Sequence, residues 1–191
     1  MFEVVDVSIN PVFPPLRTER LLLRRLELTD VNAFLGYRND PEVARFQSWD
    51  GMTGDEARAF IREQHTVMPG EPGRWAQYGI ELVATGGLCG DVAIGLLPDG
   101  RQAELGFTLA RAFQGQGIAT EAVTTLLALA FGAWGLHRVS ATTDCLNPGA
   151  IALLERLGFR REAHHVENIW FKGAWGSEYV YAVLARDWVS R

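Results

Sequence analysis

Hydrophobic and polar positions change period several times along the chain, and the changes mark out its elements. The run LLLRRL (Leu21–Leu26) reads as a strand, and LTDVNAFLGYRND after it reads as a helix with Thr29 or Asp30 as cap and Pro41 as boundary. Thr53 and Glu56 stand at capping-box spacing, and Ala57, Phe60 and Ile61 continue at helical period, which predicts a second helix. Three strands follow: WAQYGIELVA, LCGDVAIGLL and QAELGFTL. The glycine turns TGG and PDG between them indicate antiparallel hairpins. From Ile118 to Trp134 the chain is apolar except on the side of Thr120, Glu121, Thr124 and Thr125, as in a helix packed on a sheet. HRVSATT is another strand. NPGAIALLERLGF is a helix with Asn147 as N-cap, Pro148 at its first position and Gly158 past its end. RREAHHVENIWF and SEYVYAVLA, joined through KGAWG, close the chain as two strands.

This order predicts a mixed α/β fold: one largely antiparallel central sheet with flanking helices. No linker composition interrupts it, so residues 1–191 read as one domain, with residues 1–16 a loose extension. A hydrophobic content of 48% is enough for a substantial core. The net charge of −5, without a Lys/Arg cluster, argues against direct nucleic-acid binding. Lys172 is the only lysine among 18 basic residues, a skew that reads as compositional. Two cysteines make no disulfide framework, the N-terminus has no signal-peptide pattern, and LLALAF is too short to span a membrane. The expectation is a soluble cytoplasmic protein. His164 and His165 are adjacent and would face opposite sides of a strand, and no Cys/His cluster has zinc spacing, so no metal is expected.

The stretch QGQGIAT, Gln114–Thr120, lies between a strand and a helix. It lacks the Gly-Lys-Ser/Thr of a P-loop. Thr120 also stands where a dinucleotide fingerprint needs its third glycine. A glycine turn at a helix N-terminus still offers unpaired N–H groups and a positive dipole end, a fit for pyrophosphate. The alternative is a tight turn and nothing more.

QGQGIA resembles the Gln/Arg-x-x-Gly-x-Gly/Ala signature of the Gcn5-related N-acetyltransferases, with Gln114, Gly117 and Ala119 in register. NPGAIALLERLGF resembles that family's Asn-x-x-Ala/Ser helix. TERLLLRRL, AELGFTL, IATEA and KGAW resemble its ribosomal-protein N-terminal acetyltransferase (RimJ/RimL-type) branch, so the likeness covers nearly everything after residue 17. The resemblance implies an acyl-CoA acyltransferase fold with splayed central strands and acetyl-CoA as donor. It implies a pyrophosphate site at the turn formed by Gln114, Gly115, Gln116, Gly117, Ile118, Ala119 and Thr120. Phe107, Thr108 and Leu109 would offer an open edge to the pantetheine amides. The acceptor would be a primary amine: a protein N-terminal α-amine, or a small amine such as an antibiotic, polyamine or amino acid. A monomer or homodimer is expected. A non-catalytic acyl-CoA sensor and a plain structural domain are the rival readings.

Acetyl transfer needs a base, stabilisation of the carbonyl oxygen and a leaving thiolate. Glu104 is the candidate base, since it lies one strand before the glycine turn, on the face opposite Ala103, Leu105, Phe107 and Leu109. It could equally be a solvated strand residue or an ion-pair partner. A backbone N–H near Phe107 would serve the carbonyl oxygen. Asn147 could contact the cofactor arm as well as cap its helix. Cys145 reads as a small buried thiol more readily than as a nucleophile. Phe46, Trp49 and Tyr78 are candidate walls of the acceptor site. Three positions depart from the family's pattern: Leu154 where many relatives have tyrosine, Ala150 where the branch has serine, and Ser177 where it has Asp. No general acid is therefore assigned.

Overall fold

A computed structural model of the chain describes residues 13–188. Among these, eight strands form one sheet in the order β1-β2-β3-β4-β5-β6-β8-β7. They are β1 Leu16–Arg17, β2 Leu21–Arg25, β3 Trp75–Leu82, β4 Leu88–Leu96, β5 Gln102–Leu109, β6 Arg138–Asp144, β7 Arg160–Phe171 and β8 Ala174–Leu184. Every neighbouring pair is antiparallel except β5 and β6. Those two are joined through a helix, as a parallel crossover requires. The mixed α/β class read from the sequence is the observed one.

The helices are α1 Val31–Arg38, α2 Pro41–Ala44, α3 Gly54–Gln64, α4 Ile118–Ala128 and α5 Pro148–Arg156. Neighbouring positions on β4 show how they are layered. Asp91 accepts hydrogen bonds from Tyr37 and Arg38 of α1. Val92 packs in the core with Ile118, Ala122 and Leu126 of α4. Successive strand residues point to opposite faces, so α1 and α3 cover one face and α4 the other, joined there by Leu153 and Leu154 of α5.

Local chemistry explains most boundaries. Thr53 Oγ1 accepts from Glu56 N at 3.3 Å, and Glu56 Oε2 accepts from Thr53 N at 2.7 Å, so the capping box opens α3 as expected. Asp30 stands at the N-cap of α1 as expected but makes no side-chain cap bond to it. Asp30 instead accepts from Glu27 N and from both terminal nitrogens of Arg24 (2.7 and 2.9 Å). The KGAWG connection is also shorter than expected. Lys172 (φ 50°) and Gly173 (φ 82°) form a two-residue hairpin turn, and β8 starts at Ala174. Residues 1–12 of the expected loose extension lie outside the described residues. Its described end is not loose, because Leu16 pairs with Leu23 and the Phe13 ring lies 4.4 Å from that of Tyr78.

Candidate active site

The site is created by a short ladder. Strands β5 and β6 pair only at Gln102↔Arg138, Ala103↔Val139 and Glu104↔Ser140. Beyond Glu104, β5 stays against β4 as far as Leu109↔Gly90, and β6 stays against β8 as far as Asp144↔Glu178. The strands part, and residues 105–109 of β5 have no strand partner on the side facing β6. Gly90 permits the departure: a Cβ there would stand 2.2 Å from the Thr108 carbonyl oxygen, so only glycine lets β5 lie this close to β4.

One cavity, of about 600 Å³, runs along this open edge to the start of α4. Phe107, Thr108, Leu109, Gln114, Gly115, Gly117, Ile118, Ala119, Thr120 and Asn147 line it, together with Arg111 and Arg156. Gly115 (φ 72°) and Gly117 (φ 76°) are both left-handed, the conformation that favours glycine. The first α4 N–H to find a helical acceptor is that of Glu121, bonded to Gly117 O at 3.0 Å. Among the described residues, the N–H groups of residues 115–120 donate no other hydrogen bond. The turn is clamped from behind. Thr18 Oγ1 donates to Glu121 Oε1 at 2.5 Å, Arg20 Nε donates to Glu121 Oε2 at 2.6 Å, and Arg20 donates to the Gln116 carbonyl at 3.1 Å. Burial raises the Glu121 carboxyl, but the bonds from Thr18 and Arg20 outweigh it and hold it below the usual carboxylate range. The Gln116 side chain turns back to donate to Ala112 O and does not line the cavity.

A second cavity, of about 360 Å³, passes through the gap between the parted strands. It shares Phe46, Gln47, Phe107, Asn147 and Ala150 with the first, so the two meet beside Phe107. Glu104 stands at the fork, on the face away from buried Ala103 and Leu105, and its Oε1 accepts from Thr142 Oγ1 at 3.0 Å. Gly106 beside it leaves open space where a side chain would lie. Trp75, Ile169 and Phe171 form apolar walls, and Asp144 and Glu178 stand farther out. Leu154 lines the inner end, fully buried, and offers no proton. Asn147 Oδ1 accepts from Ala150 N at 3.1 Å, so it caps α5 while also facing both cavities.

The three aromatic candidates separate. Phe46 lines both cavities. Trp49 lines neither: its ring lies over the Arg38 guanidinium (3.8 Å) and its Nε1 donates to Arg38 O. Tyr78 is core, wholly buried under Phe13, and burial pushes its hydroxyl above the usual tyrosine range. Strand parity is the reason. On β3 the side chains of Trp75 and Gln77 share the face of Glu104, whereas Tyr78 points at α4. The aromatic residue of this strand at the cavity is Trp75: alternation separates it from Tyr78, and the register through β4 gives it the face of Glu104. Arg111, three residues before Gln114, is the cofactor-side residue most open to notice in the sequence.

Neither cysteine lines either of the two cavities, and Cys145, expected to be buried, is half-buried. Cys89 is buried and its thiol is pushed up to about 11 by burial, and burial also raises Cys145. Among the described residues there is no group of His, Cys, Asp and Glu able to hold a metal ion, and no helix long and apolar enough to cross a membrane.

A sheet split beside a glycine turn at a helix start is the arrangement of an acetyltransferase fold. Residues 20–160 match the family described as acetyltransferase (GNAT) domain, and the chain belongs to that family. It is 31% identical, over 91% of its length and 97% of the relative's, to the uncharacterized N-acetyltransferase p20 of Bacillus licheniformis. Among solved structures it resembles a GNAT-family acetyltransferase from Bacillus anthracis (TM-score 0.81, 26% identity, 91% of this chain and 99% of that one). It also resembles Mycobacterium smegmatis RimJ in complex with CoA-disulfide (TM-score 0.77, 27% identity, 91% and 87% covered). The chain is an N-acetyltransferase with relatives in the RimJ/RimL-like branch.

Proposed function

We propose that the chain transfers acetyl from acetyl-CoA to a primary amine by direct attack, with both substrates bound together. The observation that carries this reading is the meeting of the two cavities beside Phe107, where β5 and β6 part. The larger cavity suits the donor. The unpaired N–H groups of the glycine turn and the dipole of α4 suit a diphosphate, Arg156 adds positive charge, Arg111 stands there paired with Asp40, and the β5 edge is open to the amide-bearing arm. Acetyl-CoA supplies the reactive thioester. A CoA-bound relative, the Mycobacterium smegmatis RimJ above, supports this donor.

The chain's own residues then have limited work. Glu104, at the fork, takes a proton from the acceptor ammonium directly or through water, which leaves the nitrogen lone pair free. A backbone N–H near Phe107 donates to the carbonyl oxygen. The N–C bond forms as the C–S bond breaks; the nitrogen then releases its second proton to solvent, and the departing sulfur takes its own proton from solvent, since Leu154 has none to give. An N-terminal α-amine, with a pKa of about 8, needs less help from Glu104 than a lysine amine at about 10.4. Titration calorimetry with acetyl-CoA, followed by an amine screen for free thiol release, tests the reading. Binding with turnover of an amine is expected, and absence of acetyl-CoA binding would overturn it.

A further inference from the structure

We propose that the second cavity selects acceptors bearing a second positive charge, held roughly 7 Å from the reacting nitrogen along the strand rise of β6; this rests on the acetyl-transfer reading above. The cavity holds three carboxylates: Glu104, Asp144 and Glu178. Thr142, which donates to Glu104, lies two residues before Asp144 on the same face of β6, a separation of about 6.6 Å. Asp144 lies directly opposite Glu178 on β8, which brings their Cβ atoms to about 5 Å.

Each carboxylate keeps one oxygen free. Glu104 uses Oε1 for Thr142, Asp144 uses Oδ1 for Leu146 N, and Glu178 uses Oε2 for Asn168. None of the three enters an ion pair among the described residues. No Lys, Arg or His lines the cavity. Lys172 is bonded to Ala44, Trp49 and Asp50, and Arg161 lies over the Tyr179 ring; His165 stands opposite Glu178 on β7, outside the lining. Trp75, Ile169 and Phe171 flank the carboxylates with apolar surface. An acceptor with one amine at Glu104 leaves the Asp144–Glu178 pair facing each other as like charges, which is unfavourable across a strand pair. A second cation between them removes the repulsion. Two sources share this chemistry: a short α,ω-diamine, and a peptide whose second residue is basic.

The test uses the full chain and four acceptors: cadaverine, pentylamine, and two peptides that differ only in Lys or Glu at the second position. Thiol release gives kcat and KM, and calorimetry gives the affinity of each amine for the CoA-saturated protein. The dications should exceed their singly charged partners in kcat/KM by at least about tenfold, mainly through KM, with the same order in binding. The double variant Asp144→Asn, Glu178→Gln should bring each ratio to within about threefold of unity, with acetyl-CoA affinity retained because neither residue lines the donor cavity. A higher rate with cadaverine or with the Lys peptide identifies the source. Equal use of charged partners, a preference that survives the double variant, or no turnover of any of the four by protein that binds acetyl-CoA would each overturn the inference. Loss of acetyl-CoA binding by the unaltered chain would overturn the acetyl-transfer reading beneath it.

Discussion

Lys172 Nζ donates to the backbone carbonyl of Trp49 at 2.8 Å, bridging two parts of the chain 123 residues apart. The same ammonium donates to Ala44 O at 2.7 Å, at the end of α2, and lies 3.0 Å from Asp50 Oδ1. The chain's only lysine therefore ties the tip of the β7–β8 hairpin, which brings Ile169 and Phe171 to the cavity, to the loop that brings Phe46 and Gln47. It is a cross-link between two walls of the site. Lys172→Met keeps the apolar stem and removes three polar contacts. Acceptor KM should rise about fivefold to tenfold, the scale of about 1 kcal/mol, one net hydrogen bond, and amide exchange should quicken at residues 45–50. Unchanged exchange there would show that the loop holds itself.

Gly117 sits at φ 76°, and a Cβ added there would stand 3.6 Å from its nearest neighbour, the Arg20 guanidinium, so space is not what requires glycine. The backbone conformation requires it, because a β-branched residue is strained there. Gly117→Val should redirect the N–H groups at the start of α4 and weaken acetyl-CoA binding by at least about tenfold while the protein remains folded. Calorimetry with a circular dichroism control decides it; full affinity in the folded variant would remove the pyrophosphate assignment.

Glu104→Gln preserves shape and removes the carboxylate at the fork. Turnover should fall by about a hundredfold to ten-thousandfold, the usual contribution of a general base, with acetyl-CoA affinity unchanged. The deficit should shrink as pH rises toward the amine's own pKa, since the acceptor then arrives neutral. Full activity of the variant between about pH 6 and 9 would put the base elsewhere.

Leu154 is buried against the sheet and lines the inner end of the second cavity. If the thiol proton comes from solvent, Leu154→Met should leave turnover nearly intact and cost less than about 1.5 kcal/mol in stability. A hundredfold loss at unchanged stability would show that this position shapes the reaction.

Asp30 gives a stability test with a defined sign. Burial raises its carboxyl, but the paired bonds from Arg24 and the bond from Glu27 N outweigh it, and the net position is below the ordinary value. A carboxyl depressed in the folded state stabilises fully above its unfolded pKa, about 3.9, and the contribution fades as pH falls through the lower folded value. Asp30→Asn should therefore lower the unfolding free energy at neutral pH by about 2 kcal/mol. The gap from the unaltered chain should narrow only below about pH 4, as followed by urea unfolding across pH.

The sequence by itself determined most of the elements and the glycine turn. Period, caps and glycine turns are local properties, so α3, α5 and β3 to β5 could be read from neighbouring residues alone. The glycine turn was legible for the same reason: two left-handed residues and an exposed helix start lie within seven positions. Even TERLLLRRL and IATEA, read separately as resemblances, prove to be one contact, with Thr18 and Arg20 on Glu121. Tertiary structure alone decided the rest. Nothing local places β8 between β6 and β7, ends the β5–β6 ladder after three pairs, or turns Trp75 rather than Tyr78 toward the cavity. The second cavity draws on β3, β5, β6, β7, β8, α5 and the loop after α2, and its acidic character arises from Glu104, Asp144 and Glu178, separated by up to 74 residues in the chain. Such a cavity depends on strand order and register, which long-range packing sets, and so its acidic lining became visible only once the sheet was assembled.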